Sequence, residues 1–171
     1  MDLLIGCGNN RARRLSYAGG RSDWLDLVTI DHDPDCGADV VHDLNETPWP
    51  FADGTFDEVH AYEVLEHLGQ QGDWRSFFRH FGEIWRVLKG GGKLFVTVPD
   101  WRSEWAWGDP SHTRVITPGT LKFLSQKEYA AQVGKTAMTD FRHTWKGDFD
   151  ILASRADGEC HVFILQAVKG G

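Results

Sequence analysis

Short apolar runs, each closed by glycine, proline or acidic residues, punctuate the first half of this chain: Leu3-Leu4-Ile5, Leu27-Val28-Thr29-Ile30, Asp39 to His42, Phe56 to Tyr62, and Leu94 to Val98. Runs this short, rich in β-branched and aromatic residues and bounded by turn formers, predict strands. Between the fourth and fifth runs the period changes. Trp74, Phe77, Phe78, Phe81, Ile84, Trp85 and Leu88 recur at three- and four-residue steps behind Asp73, which predicts a capped amphipathic helix that stops at Gly90-Gly91-Gly92. Arg11 to Asp23 carries no such stripe, so a full first crossover helix is not expected there. Thr117-Pro118 predicts the cap and first position of a later helix. Phe149 to Ala153 and His161 to Leu165, joined across Asp157-Gly158, predict a hairpin. The whole pattern predicts an α/β, Rossmann-like open sheet of five parallel strands plus a C-terminal antiparallel hairpin, with helices on both faces, as a single domain over residues 1–171.

The polar residues that matter stand where these strands end. The first run passes directly into Gly6-Cys7-Gly8-Asn9-Asn10, where two glycines let backbone approach a ligand closely. The second ends at Asp31-His32 and the third at Asp43, and ligands of open parallel sheets sit outside the carboxyl ends of the strands. Helix capping or turn formation is the plainer role for each of these aspartates. Composition narrows the rest. Cys7, Cys36 and Cys160 are odd in number and not in CxxC spacing, so neither a disulfide framework nor a zinc ribbon is expected. A formal charge of −7 disfavours nucleic acid as a partner. No apolar run is long enough for a bilayer and the first residues lack a secretory pattern, so a soluble cytoplasmic protein is expected.

Five motifs taken together, Leu3-Leu4-Ile5-Gly6-Cys7-Gly8-Asn9, Val28-Thr29-Ile30-Asp31, Asp43-Leu44, Phe56-Asp57-Glu58-Val59 with Val64-Leu65-Glu66-His67, and Arg86 to Gly92, resemble the class I S-adenosylmethionine-dependent methyltransferases. The likeness runs from Leu3 to Pro99 and is nearest to small type-11-like members whose first helix is shortened to a loop. It implies S-adenosylmethionine as cofactor, with contacts from Gly6, Cys7, Gly8, Asp31, His32, Asp43, Leu44 and Glu63. In that reading the glycines lie against the methionine moiety, Asp31 accepts from the ribose hydroxyls, and Asp43 with the Leu44 backbone meets the adenine edge. Methyl transfer from a sulfonium needs alignment above all and no metal, so none is expected. His67 and His112 are the catalytic candidates, ahead of Glu63 and Glu66, for positioning or deprotonating an unidentified acceptor.

The sequence departs from the family pattern in places. Leu4 stands where an acidic residue is usual, and Asn10 replaces a third glycine. The sequence starts at its first strand, which leads to the expectation of an open cofactor site, or one covered by a protein partner. Trp101, Trp105 and Trp107 follow the fifth strand and read either as an aromatic wall for a planar or cationic acceptor or as substitute core. Val98-Pro99-Asp100-Trp101 lacks the second proline of base amino-methyltransferases, and no Pro-Cys nucleophile is present, which disfavours DNA bases. Two other readings stay open: a nicotinamide-dependent oxidoreductase, weakened by Arg11 in the third-glycine position of GxGxxG, and a non-catalytic scaffold that keeps the cofactor fold.

Overall fold

The structure, a computed structural model, describes residues 1–170. Strands β1 (Asp2–Ile5), β2 (Leu27–Asp31), β3 (Val40–Val41), β4 (Phe56–Tyr62) and β5 (Leu88–Pro99) are joined by β6 (Phe149–Asp157) and β7 (Cys160–Ala167) in one sheet of order β3-β2-β1-β4-β5-β7-β6. The first five are parallel, with Leu3 opposite both Val28 and Val59. The C-terminal hairpin adds its second strand antiparallel to β5, placing Phe95 opposite Ile164, and leaves β6 at the edge. Asp157 pairs with Cys160 across the two-residue turn Gly158-Glu159, and Gly158 takes the positive φ of 60° that such a turn requires. The expected five parallel strands and hairpin are thus what the chain builds.

Helix α1 (Trp74–Val87) begins where expected: the Asp73 side chain accepts from the backbone N–H groups of Arg75 and Ser76. Its end is two residues earlier than the glycine run suggests. Leu88 already pairs with Phe56, a bulge follows, and pairing resumes at Glu58 and Lys93, so Gly90 to Gly92 lie within β5. A Cβ on Gly92 would stand 3.0 Å from the carbonyl oxygens of Asp57 and Lys89, so glycine here permits close approach to β4 as well as ending a helix. Trp105–Gly108 forms a one-turn helix, α2; α3 (Pro118–Leu121) carries a Thr117/Thr120 capping box, and α4 (Gln126–Gln132) was not signalled by any stripe. Along each strand alternate residues turn to opposite faces. Leu3, Ile5, Val59, Ala61, Leu94 and Val96 join α1, α3 and α4 in the larger core. Leu4 and Tyr62 face the other way, toward Cys36 of the helical turn Pro34–Cys36 and toward the coil over residues 11–26. Among the described residues, no helix is long and apolar enough to cross a membrane.

Candidate cofactor and acceptor site

A cleft of about 460 Å³ opens at the carboxyl ends of β1, β2 and β4, lined by Gly6, Asp31, His32, Asp43, Leu44, Asn45, Glu63, Val64, His67 and Leu68. Its floor is set by backbone geometry. Gly6 has φ 58°, donates its N–H to the Ile30 carbonyl, and would put a Cβ 2.4 Å from Val64 Cγ2. Only glycine fits both the conformation and the space. Gly8 also has a positive φ, 48°, and its N–H donates to Asp31 Oδ2 at 2.8 Å. Asp31 Oδ1 accepts from Asp33 N–H at 3.0 Å. Each carboxylate oxygen still has acceptor capacity for a ligand hydroxyl. Asp43 accepts from the backbone and side-chain amide of Asn45, whose own carbonyl oxygen takes the Gly69 N–H, and this tightens the loop that presents buried Leu44.

On the opposite wall Glu63 follows β4 with φ 56°, an uncommon conformation for a non-glycine residue, fixed by its N–H to the Thr97 carbonyl at 2.9 Å. Glu63 Oε1 is buried and has no hydrogen-bond partner among the described residues. Glu66, three residues on in a 3₁₀ turn (Leu65–His67), is 2% exposed with neither carboxylate oxygen partnered among those residues. Burial, with the nearby Glu63 carboxylate, pushes its carboxyl up to about 8. His67 is exposed at the cleft mouth, and His112, from the loop after α2, brings its ring to within 4.8 Å of it, centroid to centroid.

Of the residues expected to contact cofactor, Gly6, Asp31, His32, Asp43, Leu44 and Glu63 line the cleft, and Gly8 shapes it through Asp31. Cys7 instead packs with Leu4, Cys36 and Tyr62 in the smaller cluster. His112 lies outside the cleft and lines a neighbouring hollow with Trp107. Asn45, Val64 and Leu68 complete the lining. Asn45 was legible only as the second residue after a turn aspartate, and Val64 only through the space that Gly6 leaves it. Trp101, Trp105 and Trp107 are 43, 54 and 67% exposed, so they do not serve as substitute core. Leu4 is buried in the smaller cluster, away from the cleft, whereas Glu63 lines the cleft with its buried Oε1 unpartnered among the described residues.

The matched family model is that of the methyltransferase domain, and it covers residues 3–96. The chain belongs to that family. It is 32% identical over 111 residues to a sterol 24-C-methyltransferase of Eremothecium gossypii, a match covering 64% of this chain and 26% of the relative. With a probable S-adenosylmethionine-dependent methyltransferase of Mycobacterium tuberculosis it shares 29% over 135 residues, covering 71% of this chain and 45% of that protein. The chain therefore spans less than half the length of these curated relatives. An Archaeoglobus fulgidus SAM-dependent methyltransferase structure superposes with a TM-score of 0.58 at 16% identity, over 96% of this chain and 85% of that one, a likeness of fold.

Proposed function

We propose that this domain binds S-adenosylmethionine in the cleft and transfers its methyl group to an acceptor presented at the open side. The observation that carries this reading is the convergence of Gly6, Asp31, Asp43 and Glu63 on one cleft at the strand ends. When bound, that cofactor supplies a methyl group on a sulfonium whose leaving group is a neutral thioether. Gly6 and Gly8 offer close backbone approach, Asp31 takes the ribose hydroxyls, Asp43 and Leu44 meet the adenine edge, and the Glu63 carboxylate answers the methionine ammonium in place of the acid that Leu4 replaces. His67 and His112 each donate Nδ1–H to a backbone carbonyl, which leaves Nε2 able to accept a proton from the acceptor. Exposed Trp101, Trp105 and Trp107 give an aromatic surface beside it for a planar or cationic group, on a small molecule or a larger one. A protein partner over the open cleft belongs to the same reading.

Calorimetry with S-adenosylmethionine tests it. Asp31→Ala is expected to weaken binding by about 1 to 3 kcal/mol, the loss of hydrogen bonds to a charged group. Unchanged affinity removes Asp31 from the site. Binding of NAD in place of S-adenosylmethionine would establish the oxidoreductase reading, and binding of neither the scaffold reading.

A further inference from the structure

His67 and His112 approach from separate loops, and the two imidazoles are oriented in the same manner. His67 Nδ1 lies 3.0 Å from the Ser111 carbonyl oxygen and His112 Nδ1 lies 2.8 Å from that of Trp105. A carbonyl can only accept, so both Nδ1 atoms carry a proton and Nε2 is the ring atom left to coordinate an ion. This outer hydrogen bond is the one that orients metal-ligating histidines. The loops are held in place independently, because the Glu66 carbonyl accepts from the backbone N–H groups of Thr113 and Arg114 at 2.9 and 3.0 Å.

Glu66 supplies the carboxyl donor, which an ion takes in its deprotonated form. Its carboxylate is buried with neither oxygen hydrogen-bonded among the described residues, an arrangement that costs free energy unless something satisfies it. One donor atom each from Glu66, His67 and His112 lie within 4.8 Å of one another, and Glu66 Oε1 is 3.9 Å from His67 Nε2. Ligands held at about 2.1 Å around one ion stand roughly 3 to 3.5 Å apart. Closing that difference takes a small rotation of His67, whose side chain is 40% exposed. Asp109 Oδ2, 3.8 Å from His112 Nε2, brings a further carboxylate within reach.

We infer that Glu66, His67 and His112 bind one divalent first-row transition ion at the mouth of the cofactor cleft. Mixed imidazole and carboxylate donors suit Mn²⁺, Fe²⁺ or Zn²⁺ better than the all-oxygen preference of Mg²⁺ or Ca²⁺. This replaces the expectation from sequence that no metal is used. Its role, which rests on the methyl-transfer reading, takes the place of proton acceptance by the two Nε2 atoms: it holds an acceptor oxygen in an open coordination position and lowers that hydroxyl's pKa, so that the proton passes to solvent.

The test is titration of chelator-stripped protein with Mn²⁺, following free ion by electron paramagnetic resonance, with electron spin echo modulation reading imidazole nitrogen on the loaded protein. The wild type is expected to take up one ion with nitrogen coupling, and affinity is expected to fall at least about tenfold in Glu66→Gln, His67→Ala and His112→Ala. Should the buried Glu66 variant fail to fold, the His67 variant, at an exposed position, decides alone. No Mn²⁺ binding, or binding without nitrogen coupling and unaltered by the histidine variants, overturns the site. Calorimetry with S-adenosylmethionine on the same stripped protein separates the two readings. Cofactor binding without Mn²⁺ binding leaves methyl transfer and removes the metal, and Mn²⁺ binding without cofactor does the reverse.

Discussion

The two faces of the sheet are covered by different means. On one face Phe77, Phe81, Ile84 and Val87 of α1 meet Leu3, Ile5, Val59 and Val96 in a continuous apolar core. On the other, β1 and β4 present Asp2, Glu58 and His60, all buried, under a coil. Arg13, 5% exposed at its side chain, reaches Glu58 at 2.6 Å and Asp2 at 3.5 Å, and Arg21 reaches the same two at 3.3 and 2.8 Å. Along β4 a relay of hydrogen bonds continues the fastening. His60 Nε2–H donates to Glu58 at 3.0 Å, the Tyr62 hydroxyl donates to His60 Nδ1 at 2.6 Å, and that hydroxyl accepts from the backbone of Arg14 and Leu15. Trp24 closes edge-on over His60, which itself stacks on Phe95. A helix supplies its own backbone hydrogen bonds and needs only an apolar stripe to dock. A coil has neither, so its attachment is made of directional polar contacts whose strength depends on every partner being present.

Two deletions of similar size should break the two faces differently. Arg13→Ala leaves two buried carboxylates short of a counter-charge and is expected to cost about 3 to 5 kcal/mol. Ile84→Ala leaves a cavity under α1 and is expected to cost about 2 to 5 kcal/mol. Denaturant unfolding gives both, and the double variant should be additive because the faces share no partners. A cost below about 1 kcal/mol for Arg13→Ala would mean that the coil is held by its apolar residues instead.

Acid should separate the faces as well. Burial pushes the Glu58 carboxyl upward, but hydrogen bonds from His60 and Arg13 and the Arg13 charge outweigh it and hold the group at about 2, below its ordinary 4.5. A depressed carboxyl means that the unfolded chain takes up the proton first as pH falls. Its contribution is therefore complete above pH 4.5 and is lost as pH drops through about 2. The full shift corresponds to about 3 kcal/mol. Unfolding midpoints of the wild type should fall more steeply with acid below pH 4.5 than those of Glu58→Gln, and parallel slopes would assign the acid sensitivity to other groups.

The same contrast explains what could be read from sequence. Apolar runs and the stripe from Trp74 to Leu88 name the core face directly, because burial of a stripe or a run is a local pattern. The absence of a stripe over Arg11 to Asp23 was equally legible as the absence of a helix. What takes the helix's place was not, since Arg13 with Glu58 and His60 with Tyr62 become partners only once β4 lies beside β1. Gly6, Asp31 and Asp43 were readable at the cleft because each sits at the end of its own strand. The closeness of Glu66, His67 and His112 was not, because it depends on the backbone bonds from Thr113 and Arg114 that fold one loop onto another. Cys7, placed by the glycine turn, packs into the smaller cluster, while its neighbour Gly6 lines the cleft.

The smallest expected effect sharpens the comparison most. Lys89 Nζ meets both oxygens of Asp57, at 2.9 and 3.0 Å, next to the bulge that joins β4 and β5. Its geometry is as good as that of Arg13 with Glu58, but the two side chains are 48 and 38% exposed. Water already solvates both charges, so little desolvation is reversed and either partner can be rehydrated when the other is removed. Lys89→Ala is therefore expected to change stability by no more than about 0.5 kcal/mol, and less at high salt, in the same denaturant assay that reads Arg13→Ala. If burial, and not charge pairing as such, is what makes the coil's attachment strong, the two substitutions must differ several-fold. A loss at Lys89 comparable to that at Arg13 would show that the sheet's charges act together over its whole rim, and the division between the two faces would then be one of composition only.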